Sequence, residues 1–384
     1  MRHFAHVAQQ VRERIFSVEP GPFHRSAEPE VLALALGATL YMPATRPRLA
    51  DDLRRVAARG VTSVVLCLED AIGDDQVAEA EQNVITQLRA LGGEPAPLTF
   101  VRVRQPDQIT AIARQLGTRP TALTGFVLPK FTELNGAEYL DALVAAEVRL
   151  GVRLFGMPVL ESPDVIHRET RDNALRSIQR LIDKYPGSVL ALRVGATDLS
   201  SAYGLRRTRG LTVYDVRVIA DAIGDIVNVF ARADGTGHVI TGPVWEHFGD
   251  TGRLFKPQLR ESPFHLHNAN DLRRELISSN LDGLLREVVL DKANGLTGKT
   301  VIHPTHVPVV HALMVVTAEE YADAGDVLAT RARGGVRASA YRNKMNESKP
   351  HRAWAERTLR RAELFGVAAE GVDTVELLVA GAQA

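Results

Sequence analysis

Short apolar runs alternate along this chain with longer stretches in which apolar residues return every three or four positions. The first kind reads as buried strand, the second as amphipathic helix. Strand-like runs cover Ala38 to Met42, Ser63 to Leu68, Leu98 to Val103, Gly125 to Leu128, Leu154 to Leu160, Leu190 to Val194, Asp225 to Phe230 and Lys299 to Ile302. Helical spacing fills Arg48 to Arg59, Asp74 to Leu91, Asp107 to Leu116, Glu133 to Leu150, Val165 to Tyr185 and Val213 to Ile223. Near-continuous apolar strands separated by helices describe a parallel sheet covered on both faces. Eight such alternations predict an α/β protein with a (β/α)8 TIM barrel, whose site is built at the carboxyl ends of the strands. An open doubly wound sheet would require a glycine-rich first turn, which Tyr41 to Arg46 does not offer.

Two segments break the repeat. Residues 234–281 form a long insertion after the seventh predicted strand, with four of the twelve histidines and several Gly and Pro residues. After Pro304 comes a helical extension with Gly334-Gly335 and a basic stretch. The expected division is an amino-terminal extension over 1–37, a barrel over 38–304 and a carboxyl-terminal extension over 305–384. The tail admits two readings, a lid over the barrel mouth or an exterior helical pair.

Composition narrows the class. With 384 residues and 45% hydrophobic content the chain has ample length for a large core, and 46 basic against 46 acidic side chains leave no basic footprint for nucleic acid. The single cysteine, Cys67, lies inside an apolar run, which excludes an internal disulfide and a cysteine-based zinc cluster. The first residues lack the apolar stretch of a signal peptide and no segment is long and apolar enough to span a bilayer, so a cytoplasmic location without membrane contact is expected.

Charge collects where the strands end. Glu69-Asp70 follows the second strand, Arg102 and Arg104 the third, Lys130 the fourth, Glu161 the fifth and Asp198 the sixth. A strand-terminal acid serves either as a cap for the next helix or as a cation ligand, because a carboxylate leaving a buried strand needs donors or a cation. The series favours the cation. Leu199-Ser200-Ser201 after Asp198 reads as the opening of a helix whose N–H groups bind a substrate carboxylate. Lys130 is an ion-pair or substrate contact, with a Schiff-base nucleophile as the competing reading. His303 reads as structural, since no second histidine stands at metal spacing. Gly295 to Thr300 is not a phosphate loop, because it leads into a strand instead of following one.

These motifs resemble the HpcH/HpaI aldolase and citrate lyase β-subunit family. Tyr41 to Pro47 is similar to its F-V-P-A-N-R-P, Leu66 to Ala71 to L-D-L-E-D-A, Val101 to Val103 to V-R-V and Val127 to Lys130 to V-L-P-K. Leu160-Glu161-Ser162, Gly195 to Leu199 and Val301 to Pro304 match its (I/V)-E-(T/S), G-x-E-D-L and I-H-P in the same order. The resemblance implies a barrel that makes or breaks carbon–carbon bonds beside a carbonyl with Mg2+, Mn2+ being the alternative ion. Glu161 and Asp198 would hold the metal, Arg102 would meet the developing enolate or a thioester carbonyl, and Glu69 and Asp70 would serve as acid/base groups. Arg46 would bind a substrate carboxylate or phosphate. The substrate would be a small oxo acid or hydroxy acid, or an acyl-CoA, and the chain a homo-oligomer, a trimer or its multiple. A catalytically silent barrel serving as a binding or scaffold subunit is the alternative function. Cys67 departs from the family pattern, and Tyr341 to Ser348 lacks the tail aspartate of acyl-CoA enzymes. Glu347 is the nearest acid able to replace it, with Lys344, Lys349, His351 and Arg352 making a lid cationic.

Overall fold

The computed structural model describes residues 1–118, 121–248, 281–329 and 335–383. A short strand, β1 (Phe16–Val18), precedes eight parallel strands that close into a barrel. They are β2 (Ala38–Pro43), β3 (Ser63–Cys67), β4 (Leu98–Arg102), β5 (Leu123–Leu128), β6 (Phe155–Leu160), β7 (Leu192–Val194), β8 (Ile240–Trp245) and β9 (Lys299–Val301). Each pairs with the next, and β9 closes on β2. Residues in β3, β5 and β6 are buried throughout, as expected of strands with side chains facing the barrel interior on one side and helices on the other. The helix Pro106–Leu116 shows the covering layer: Ile109, Ile112, Ala113 and Leu116 face inward, Pro106 starts it and Gly117, at φ +65, lets the chain turn away.

One predicted strand is wrong. Asp225 to Phe230 is the last part of a helix, Arg217–Phe230, whose buried residues Ile219, Ala222, Ile223, Ile226, Val229 and Phe230 keep helical spacing. The run Ile226-Val227-Asn228-Val229-Phe230 is apolar enough to pass for a strand when seen alone. The seventh barrel strand is β8, which lies inside the segment read as an insertion. Gly242-Pro243 argues against a strand, but Pro243 sits where the register between β8 and β9 shifts, a place where a missing N–H is tolerated. The insertion therefore begins after Trp245, and its residues 249–280 lie outside the described ones.

The two extensions meet at the amino-terminal end of the barrel. β1 pairs antiparallel with β12 (Val367–Ala368), and His3 stacks on Phe365 with ring centres 4.0 Å apart. Helices Ala318–Ala329 and Arg352–Phe365 pack together, and a hairpin of β10 (Val336–Ala338) and β11 (Met345–Glu347) lies on the first of them. Lys344 is held there by Glu319 at 2.6 Å and Asp323 at 2.7 Å. Asn346 donates to Asp323, and the exposed Glu347 gives its backbone N–H to His351. Gly334 of the Gly334-Gly335 pair lies outside the described residues.

Candidate active site

The carboxyl ends of β3 to β7 bring the charged residues of the strand ends into one cluster. Arg102, the last residue of β4, turns one nitrogen, Nη2, toward three acids: Glu69 at 2.6 Å, Asp70 at 3.1 Å and Glu161 at 3.2 Å. Lys130 reaches Glu69 with its Nζ at 2.6 Å and gives its backbone N–H to Glu161 Oε1 at 2.9 Å. That second bond depends on an unusual backbone: Lys130 has φ +47, the left-handed region that non-glycine residues enter at a cost, often at functional sites. Arg104 works from behind the loop, donating to the carbonyls of Leu68, Glu69 and Ile72 and so fixing the Glu69-Asp70 turn.

Glu161 and Asp198 meet on the other side of the cluster. The charge of the Asp198 carboxyl acts directly on Glu161. Gly195 makes room for this: a Cβ there would lie 2.2 Å from Glu161 Oε2. Arg102 and the Lys130 N–H both take Oε1, so Oε2 remains on the Gly195 side.

The electrostatics separate the acids by task. Burial, opposed by Arg102 and reinforced by Asp198, pushes Glu161 up to about 8. Burial also acts on Glu69, but its hydrogen bond with Asp70 and the charges of Arg102 and Lys130 outweigh it and hold the carboxyl low. Asp70 rises to about 6 through burial and its bond and charge contact with Glu69, although its side chain is 57% exposed and open to solvent protons. The Glu69 contact outweighs the desolvation of Lys130 and keeps it protonated, the opposite of what an amine nucleophile needs.

Three predicted substrate contacts do not join the cluster. Arg46 is bound to Asp52 at 2.6 Å on the following helix. The helix that follows β7 starts at Ala196, so Asp198 already lies in its first turn and the Leu199 N–H is spent on the Gly195 carbonyl. The Leu199 side chain is core, and Ser200 gives its hydroxyl to the Ala196 carbonyl at 2.6 Å. The helix begins early because Gly195 and Ala196 permit the turn at once, which leaves neither residue free for a substrate. His303 contacts Thr305 and stacks on Phe248, in keeping with a structural part.

Sequence reasoning passed over Arg193 and the hydroxyl of Tyr41. Arg193 is 1% exposed and points into the barrel, where it touches Thr300 Oγ1 and lies 5.3 Å from the Tyr41 ring centre. An arginine inside Leu190-Ala191-Leu192-Arg193-Val194 was the available signal.

The donor set suits a hard divalent cation. Magnesium commonly takes one or two protein carboxylates and fills its other positions with water and substrate oxygens. A cation between Glu161 and Asp198 would take the place of the proton that their mutual repulsion now favours. Among the described residues no group of three or more His, Cys, Asp and Glu is arranged to hold a metal, so the pair alone is the candidate.

A family model for C–C bond lyases of the TIM-barrel fold matches residues 30–367. The chain belongs to that family. The motif resemblance holds at this level. Two solved structures share the architecture. One is a citrate lyase from Burkholderia xenovorans LB400, 18% identical over 89% of this chain and 96% of that one, with a TM-score of 0.60. The other is CitE from Mycobacterium tuberculosis in complex with magnesium, acetoacetate and coenzyme A, 21% identical over 88% and 99%, with a TM-score of 0.54. At such identity they speak for the fold. No curated protein matches the chain in sequence. Among the described residues no helix is long and apolar enough to cross a membrane.

Proposed function

We propose that this C–C bond lyase family member is a magnesium-dependent lyase or aldolase acting on a small oxo acid or hydroxy acid, free or carried as an acyl thioester. The observation that carries the reading is the Glu161–Asp198 pair, set beside Arg102 and Lys130 at the carboxyl ends of the barrel strands. A cation held by this pair supplies Lewis acidity to a substrate carbonyl. Arg102 adds fixed positive charge where an enolate oxygen develops, a preorganised contribution of roughly 3–4 kcal/mol. Asp70, partly exposed and raised toward neutrality, is the group suited to carry protons between substrate and solvent. Glu69 is bound on both sides by Arg102 and Lys130 and orients them. Lys130 acts as a charge and as a backbone donor.

The acyl-thioester form is supported by the mycobacterial relative, which binds coenzyme A. The missing tail aspartate favours the free acid. A homo-oligomer is part of the proposal: the hairpin exposes Val336, Tyr341 and Met345, a surface suited to a second copy of the chain. Light scattering at micromolar concentration that gives a monomer mass would remove that part. The central test is calorimetry with magnesium, alone and with pyruvate or oxalate, followed by NMR of proton exchange at the pyruvate methyl. Binding and exchange that disappear in Glu161→Gln are expected; a protein that takes no divalent cation under any of these conditions refutes the reading.

A further inference from the structure

Among the described residues Arg193 is a cation without an acid. Its side chain is fully enclosed by the barrel, and its contacts among the described residues are Thr300 Oγ1, Met157 Sδ at 3.8 Å and the face of Tyr41. Among the described residues, the charge of Arg102 also acts on it, and that charge is positive too. A buried guanidinium with no carboxylate costs several kcal/mol in desolvation that neutral partners recover only in part. By contrast, Lys299, next to Thr300 on the opposite face of β9, is matched by two acids. The unpaired charge is therefore confined to the barrel interior.

Its position gives it a use. Tyr41 stands toward the carboxyl end of β2, where the charges of Arg193, Arg102 and Glu161 all act on it. Its ring faces the interior beside Arg193, and the residue as a whole is partly exposed. The similar family motif has phenylalanine here, so the hydroxyl is an addition of this chain.

We infer that Tyr41 and Arg193 form an oxyanion-recognising floor, in which the Tyr41 hydroxyl donates to an anionic oxygen of a small carboxylate substrate and Arg193 acts as a positioning residue that supplies the balancing charge. The inference rests on the proposed lyase reading and deepens it, since it names the group that meets the acid end of the substrate. It also gives a reason for the charge imbalance, because a monoanion above Tyr41 supplies the acid that Arg193 lacks.

Calorimetry on the full chain tests it with magnesium alone, oxalate alone, and oxalate in the presence of magnesium, in wild type, Tyr41→Phe and Arg193→Met. Both variants should weaken oxalate about ten- to a hundredfold, the range expected for a hydrogen bond to a charged group, while magnesium alone binds as in wild type. Arg193→Met should melt at or above the wild-type temperature, because removing an unpaired buried charge relieves desolvation. The floor is overturned if oxalate does not bind the wild type, or binds both variants unchanged. It is equally overturned if Arg193→Met loses several degrees of melting temperature with oxalate affinity retained, the mark of a purely structural guanidinium. Absent magnesium binding in the wild type counts against the lyase reading instead, and the oxalate comparison still decides the floor.

Discussion

Two clusters of charge in this barrel obey opposite rules. On the outer wall, Lys299 reaches Glu287 and Asp291 at 2.7 Å each, Arg207 pairs with Glu287 and donates to the Val244 carbonyl, and Tyr214 donates to Asp291. Two cations meet two acids, and the Val213 N–H takes a remaining lone pair of Glu287. At the mouth, Glu69, Asp70, Glu161 and Asp198 face Arg102 and Lys130, and the two acids of the Glu161–Asp198 pair repel each other. The wall network is complete without any ligand, so it locks the helix Leu281–Ala293 onto β9. Among the described residues the mouth holds four acids against two cations, and the missing positive charge is what a divalent cation would bring. Balance marks a structural cluster; imbalance marks a site.

The sharpest way to break this contrast is on the wall. Lys299→Met leaves two buried acids facing each other and should cost about 3–5 kcal/mol in chemical denaturation; a loss below 1 kcal/mol would put the wall and mouth in the same class. At the mouth the sign reverses. Folding raises the Glu161 carboxyl from its ordinary value near 4.5 to about 8, so the native state binds the extra proton and metal-free stability falls as pH rises through that window. Glu161→Gln removes the titration and should be more stable than wild type at pH 8 in a chelator, by on the order of 2 kcal/mol, with magnesium binding lost. Melting curves from pH 4 to 9 check this, and a variant less stable at pH 8 would contradict it.

Smaller effects sharpen the picture. Lys130→Met removes a half-exposed partner of Glu69 and should cost about 1 kcal/mol or less, while Glu69 titrates higher. Because Lys130 is held protonated, borohydride reduction with pyruvate should add no mass to the wild type; an adduct on Lys130 would revive the Schiff base. Arg46→Ala should be the mildest, under about 1 kcal/mol in stability and within about twofold in oxalate affinity, since the Arg46–Asp52 pair is partly exposed and apart from the cluster. A larger loss of affinity would return Arg46 to the substrate.

Much of this was legible in the chain because strand exits in a barrel converge. Arg102 ends a strand, Glu69, Asp70, Lys130, Glu161 and Asp198 follow one within a few residues, and closure of the sheet brings those ends to one mouth without further instruction. Two kinds of residue escaped. Leu199 and Ser200 were misplaced because the start of the helix depends on local backbone choices around Gly195. The seventh strand was displaced because Ile226 to Phe230 satisfies strand and helix patterns alike, whereas Ile240–Trp245 hides its strand behind Gly242-Pro243.

By itself, then, the sequence determined the alternation of elements, the barrel and the strand-end charges, because period and chain order carry that information locally. Tertiary structure alone decided which acid is paired, which is left to repel its neighbour, and that Arg193 faces no acid among the described residues. Those outcomes depend on side chains from strands far apart in the chain, and on the low dielectric of a closed interior, where a missing partner a few ångströms away changes the role of a charge.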